Sequence, residues 1–444
     1  MDAVQVIDKE TRVLIFVSKI AGVAPLHFDN RKSKFIVSMK AKLYSIIVAT
    51  VLLLAFLTGI FLVVQSRGYE DSILKYSKYC HLSLSGAAVF VLTVCSTTLK
   101  QCHVDYWQIK FVAVKKIIFK DYLTEYSGTK TFFTPTVTGT IAAYGFCCGI
   151  SLWQFSDNNI CLLLTPFFIS DFIKNIVVLQ FLIFNSTTQR LSEQINEHLL
   201  CVSGLPKEED LDSNISASVN TAVGSCTLTN PRKSVEKHRQ YKQPRMSWIR
   251  SSEGTVYCSN PFAGSARKEV GKYVLLRKLR YAHCLFYEIS RSVNVAFSTQ
   301  NLVLMVSSFV SMVVLMYEIV IVSFDMILTR SVKSKFGNLV MCVAWVVQNT
   351  WRVCSLVYSS EAVVQEASRT ENLVNKLMLS PLSSDCMCCS ELQLFAQQLT
   401  NIRIKYTAAN LLSLDYRIVK AVVGTVTTYM VILIQFRLSN MWEQ

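Results

Sequence analysis

Seven apolar runs recur along the chain, each close to the roughly 20 residues that cross a bilayer core. They are Leu43–Val64, His81–Leu99, Thr131–Trp153, Ile160–Phe184, Leu302–Phe324, Gly337–Tyr358 and Ile418–Phe436. Backbone inside lipid has no water to bond, so such runs fold as helices that satisfy their own polar groups. The fold class expected is therefore all-α and integral to a membrane, with seven transmembrane helices. Only 17% of the 444 residues are charged, against about 25% in an ordinary soluble domain. The first 42 residues hold eight basic groups, and Val13–Val17 is too short for a signal-peptide core, so the first span is expected to direct insertion itself.

The formal net charge of +15 invites a nucleic-acid reading, but the positions of the charges oppose it. If the N-terminus is cytoplasmic, the short inside segments hold 18 Lys and Arg and the outside segments 7. Cytoplasmic loops carry the basic excess, so the sequence predicts N-terminus in and C-terminus out, with no nucleic-acid partner. Five regions follow. Residues 1–185 hold the N-terminal segment and spans one to four. Residues 186–298 are cytoplasmic helical extensions around a disordered insert, about 204–266. Residues 299–359 carry spans five and six. Residues 360–413 are cytoplasmic anchor helices, read as 360–379 and 391–412. Residues 414–444 hold span seven and an outer C-terminus.

The inside helices are amphipathic. Tyr273, Leu276, Leu279 and Leu285 recur at helical spacing, with Arg277, Lys278 and Arg280 on the other face. A cytoplasmic helical bundle buries that stripe; a helix lying on the inner leaflet is the alternative. Cys386, Cys388 and Cys389 lack His partners and a second Cys pair, so no metal is expected there. No cofactor is expected either. The sequons at Asn185 and Asn214 fall on the inside and are expected to stay unglycosylated.

Ionisable and polar groups inside spans are costly and point to function by default. Asp171 and Lys174 stand three apart in span four, beside Phe167, Phe168 and Asn175. They read either as a mutually neutralised pair or as the wall of a ligand cavity. In span five, Ser311 and Glu318 align and Tyr317 is adjacent; Glu318 reads as a site residue or as a group reaching interfacial water. Span six is sharper. At 100° per residue, Trp345, Gln348, Asn349 and Arg352 share one face, Trp351 flanks it, and valines cover the other side. Rings that stack and amides that bond suit a small polar ligand; interhelical bonding that only holds the bundle is the alternative.

In span seven, Gly424, Thr428, Val431 and Gln435 form a stripe of small and polar groups. Such a stripe must face protein or water. Several copies around an axis would turn it into a pore lining, with Gln435 and Phe436 at the outer mouth.

The chain's end, AANLLSLDYRIVKAVVGTVTTYMVILIQF, resembles the signature of insect gustatory receptors: Thr428-Tyr429, five apolar residues, then Gln435-Phe436. The N-terminal KIAGVAPLHFDN also resembles the family's opening. The resemblance implies a ligand-gated cation channel, a homotetramer or a heteromer with related receptors, in the plasma membrane of sensory neurons. It implies a gate at Gln435 and Phe436 and a pore lined by Thr428, the stripe adding Gly424 and Val431 to that lining. It implies a pocket for a sugar or bitter tastant among the outer halves of spans two to six, where Gln348 and Trp351 are similar to pocket residues of the fructose-type branch. Trp345, Asp171, Phe168, Glu318 and Tyr317 complete the candidate pocket. Permeant cations and membrane lipid are the other partners implied. An odorant receptor shares this fold. A G-protein-coupled receptor needs the opposite orientation, and span seven has no Asn-Pro-x-x-Tyr. A transporter needs repeated halves. No phosphate loop, metal constellation or Ser/His/Asp set supports an enzyme.

Overall fold

The computed structural model describes residues 9–23, 26–29, 34–37, 39–65, 72–98, 100–119, 133–154, 160–203, 262–329, 332–379 and 386–442. Among these residues the chain is nearly all helical. A short helix α1 (Lys9–Ile20) precedes a strand pair, β1 (Leu26–Asp29) and β2 (Lys34–Val37). Helices α2 (Met39–Gln65), α3 (Ser72–Thr98), α4 (Lys100–Phe119), α5 (Phe133–Gln154), α6 (Ile160–Ser203), α7 (Phe262–Thr329), α8 (Val332–Met378) and α9 (Cys386–Asn401) follow. The strands β3 (Thr407–Ala408) and β4 (Leu412–Ser413) then lead into α10 (Tyr416–Trp442).

The described residues of every apolar run fall in one of these helices. Those in α2, α6, α7, α8 and α10 are long and apolar enough to cross a membrane, and α3 and α5 carry shorter apolar stretches, Ser83–Thr97 and Gly139–Leu152. Helices α2 and α3 cross closely at Gly86, where an added Cβ would stand 2.8 Å from the Phe56 ring.

Three helices run far past the membrane thickness. Helix α7 has 68 residues, a length of about 100 Å at 1.5 Å per residue. The C-terminal part of α6, the N-terminal part of α7 and the C-terminal part of α8 form one bundle closed by α9. The stripe read from the sequence lies in its core: Leu276, Leu279 and Leu285 are buried beside Leu191, Ile195, Leu377 and Phe395. Arg280 Nε donates to Glu391 Oε1 at 2.6 Å and ties α7 to α9.

Two expectations need correction, and one element is new. The segment after span two, to which the sequence reading assigned no element, carries helix α4 along α7, with Trp107, Phe111 and Val114 in the core. The helix resuming after the insert begins at Phe262, ahead of the predicted end of the insert; residues 204–261, with Asn214, lie outside the described residues. The last anchor helix does not reach Leu412. It ends at Asn401, because Ile402, Ile404, Tyr406 and Ala408 alternate at the two-residue period of extended chain. Tyr406 and Ala408 are buried. Burial pushes the Tyr406 hydroxyl well above its usual pKa, so it stays neutral. The chain then reverses at Ala409 (φ 50°) and Asn410 (φ 56°), where Leu411 N donates to Ala408 O. Two successive left-handed residues make the tight turn that matches strand twist. The hairpin is latched to α7: Thr407 N donates to Asn294 Oδ1 at 2.9 Å, and Ala409 N to Ser298 Oγ at 2.7 Å.

Candidate functional site

Two places in the bundle concentrate polar groups within apolar helices. The first is enclosed by α3, α5, α6, α7 and α8. Its outer layer is aromatic. Trp345 of α8 is buried and stacks on Phe168 (ring centroids 6.2 Å, 16°). Phe167 meets it edge-on at 5.3 Å and Tyr144 of α5 at 6.4 Å. The indole N–H of Trp345 donates to Ser151 Oγ at 3.2 Å, and the Tyr144 hydroxyl donates to the Phe168 carbonyl at 2.7 Å.

Seven residues further along α8, about 10 Å deeper at 1.5 Å per residue, lies an ionic layer. Arg352 is 1% exposed and Asp171 2%. Arg352 NH2 donates to Asp171 Oδ2 at 2.7 Å. The guanidinium also donates to Asn175 Oδ1 from Nε and NH2, and from NH1 to Asn349 Oδ1 at 3.0 Å and Ser308 Oγ at 3.4 Å. A buried charge persists only when paired and bonded in this way. Gln348 Nε2 donates to the same Asn175 oxygen at 3.2 Å. Lys174, 1% exposed, stands 3.7 Å from Asp171 Oδ1 and donates to Ser85 Oγ of α3 at 3.1 Å.

The polar face read on span six thus points into the bundle. Trp345, Gln348, Asn349 and Arg352 are buried, while Val343 and Val347 face outward. The structure brings Trp345, Gln348, Asp171 and Phe168 together. Glu318 sits nearby on α7, accepting from Cys342 Sγ at 3.6 Å. Two candidates lie elsewhere. Trp351 is 44% exposed, and its N–H donates to Thr140 Oγ1 of α5 at 3.1 Å, so it buttresses α5 from the flank. Tyr317 is buried against Met430 with Val426, Leu433 and Ile434, and faces α10.

The second place is α10 itself. Only 6% of its most apolar stretch is buried within the subunit. Its inward face, Ile418, Val422, Val426, Met430 and Leu433, packs on the rest of the subunit. At 100° per residue, Gly424, Thr428, Val431 and Gln435 point about 180° from that face, and all four are exposed, as is Phe436. An added Cβ at Gly424 would meet nothing within 4 Å. The Thr425 and Thr428 hydroxyls donate back to Ala421 O and Gly424 O.

The 7tm Chemosensory receptor family matches residues 11–440. The chain belongs to this family. It is thus a multi-pass chemosensory receptor and not an enzyme. The receptor is 31% identical over 84 residues to the putative gustatory receptor 28b of Drosophila melanogaster, a match covering 19% of this chain and 17% of that protein. The matched stretch is therefore less than a fifth of the relative's length. Its fold is similar to that of the insect olfactory receptor OR5 from Machilis hrabei in complex with eugenol (TM-score 0.52, 12% identity, 96% of this chain and 97% of that one). At that identity the likeness establishes the fold alone.

Several partners in the receptor's ionic layer carried little signal in the sequence. Asn175 was visible one turn from Asp171, but its place as the acceptor shared by Arg352 and Gln348 was not. Ser85 and Ser308 are single hydroxyls in apolar runs, and a lone serine in a span is unremarkable. Among the described residues no group of three or more His, Cys, Asp or Glu side chains is placed to hold a metal ion. Cys388 belongs instead to the hydrophobic core. Asn185 is buried, donating to Ser359 Oγ at 3.2 Å, a place with no room for a glycan.

Proposed function

We propose that this receptor is a subunit of a tastant-gated, non-selective cation channel, a gustatory receptor with its N-terminus in the cytoplasm of a sensory neuron. The observation that carries the proposal is α10. A membrane helix with one face packed on its own subunit and a small, polar stripe on the opposite face needs a wet or protein neighbour. Four copies around an axis supply both. Gln435 and Phe436 then ring the outer mouth, and Thr428, Val431 and Gly424 line the path below.

The ligand pocket is the aromatic layer around Trp345, with Gln348, Phe168 and Asp171 beneath and beside it and Glu318 at its edge. A ligand that binds the open arrangement more tightly than the closed one shifts the population toward open. Tyr317, packed between α7 and α10, is placed to pass that shift to the pore helix. The similarity to a putative gustatory receptor supports taste over smell. The second reading is an odorant receptor, which would share this fold.

Whole-cell current from cells expressing this chain, perfused with fructose, alkaloids and odorants, tests the proposal. Rapid inward current insensitive to G-protein block is expected. Trp345→Ala and Gln348→Ala remove the response with surface expression intact, while Trp351→Ala acts more weakly. Dose–response curves unchanged by the first two would overturn the pocket; a response abolished by G-protein block would overturn the channel.

A further inference from the structure

The ionic layer is not electrically closed. The charges acting on Lys174 among the described residues are Asp171 and Arg352. Asp171 is committed to Arg352 at 2.7 Å and stands 3.7 Å from the lysine. Two buried cations therefore share one carboxylate. The hydrogen bonds are unbalanced in the same sense. An ammonium has three donors, and Lys174 makes one short bond, to Ser85. Asn175 Oδ1 accepts three donors, while Asn175 Nδ2, equally buried, has no acceptor. Gln348 Oε1 is buried without a donor. Buried polar groups without partners are rare and costly, and these stand together on neighbouring turns of α6 and α8. What is missing is an anionic acceptor for Lys174 and Asn175 and a hydroxyl-type donor for Gln348. The aromatic layer lies immediately outward.

We propose that the ligand recognised by this pocket is a small organic acid, an aromatic or apolar body carrying a carboxylate and a neighbouring hydroxyl. The body stacks on Trp345 and Phe168, the carboxylate accepts from Lys174 Nζ and Asn175 Nδ2, and the hydroxyl donates to Gln348 Oε1. This inference rests on the pocket reading above and sharpens it from tastants in general to anions. Sugars and alkaloids supply no carboxylate and leave Lys174 uncompensated.

The test uses the purified full-length receptor and two probes of the same shape, mandelate, which carries the carboxylate, and mandelamide, its neutral amide. Thermal melting at graded concentrations reads binding without requiring current. Mandelate is expected to shift the midpoint upward at a concentration about tenfold below mandelamide, the scale of one charge-assisted bond over a neutral one. Lys174→Met is expected to abolish that preference, while Lys174→Arg restores it in part. Equal shifts for the two probes, a preference that survives Lys174→Met, or no shift with either probe would each overturn the proposal. If Lys174→Met does not fold, the comparison on the unaltered receptor still decides. The pocket reading fails separately. If fructose or an alkaloid gates a current that Trp345→Ala abolishes while mandelate does nothing, the pocket stands and the acid falls. If neither Trp345→Ala nor Gln348→Ala alters any response, both fall.

Discussion

Helices α6 and α10 are both apolar enough to span a membrane, yet they meet opposite surroundings. In α6, 72% of the most apolar stretch is buried within the subunit; in α10 the share is 6%. Helix α6 runs through the centre of the bundle and carries Asp171, Lys174 and Asn175, whose partners come from α3 and α8. Each of the three finds a partner inside one subunit, although Asn175 Nδ2 is left without an acceptor. Helix α10 leans on the subunit by one face and leaves Thr428, Val431 and Gln435 exposed on the other. The same cost of polar atoms in lipid is thus met in two ways: by intramolecular pairing in α6, and in α10 by a stripe that waits for neighbours. Substitutions in α6 should act on folding. Substitutions in α10 should act on assembly and conduction.

The largest effect expected is from breaking the buried pair. Asp171→Ala leaves Arg352 and Lys174 buried without their carboxylate, a loss of about 3–5 kcal/mol. Collapse of surface expression, or a sharply lowered melting temperature in detergent, is the readout. Near-normal stability would mean that α6 does not depend on its pairing. Next is Gly86→Val, which pushes side-chain atoms into the Phe56 ring at the α2–α3 crossing and costs about 1–3 kcal/mol, read by the same melting experiment.

A smaller loss, about 1 kcal/mol for each bond, follows Asn294→Ala or Ser298→Ala, which unlatch the β3–β4 hairpin from α7. Because that hairpin leads directly into α10, increased hydrogen exchange at residues 407–415 is the sharper measurement. Last, Thr428→Ala should change subunit stability by less than about 0.5 kcal/mol while altering unitary conductance. A melting loss as large as that of Asp171→Ala would erase the contrast between the two helices.

Much of the site on span six was legible, because a helix has one period and a polar face on an apolar helix must turn to protein or water and not to lipid. Trp345, Gln348, Asn349 and Arg352 came from that rule. Tyr317 and Trp351 did not follow it. Tyr317 neighbours Glu318 in sequence, but adjacent residues on a helix stand 100° apart, and that rotation turns it to α10. Trp351 stands at the border of the polar face, where a neighbour decides; Thr140 of α5 claimed its N–H.

The sequence by itself determined the apolar helices, the amphipathic stripe from Leu276 to Leu285 and the small, polar stripe on the seventh span. These depend on local hydropathy and on helical period, which short windows carry. Tertiary structure alone decided who answers whom. It gave Asp171 to Arg352, 181 positions away in the chain, rather than to Lys174 one turn away. The reason is geometric. A guanidinium on the facing helix reaches the carboxylate at 2.7 Å and spreads its other donors over Asn175, Asn349 and Ser308, whereas the lysine on the same helix stays at 3.7 Å. Pairing within one helix is fixed by spacing, but pairing between helices is fixed by how they pack.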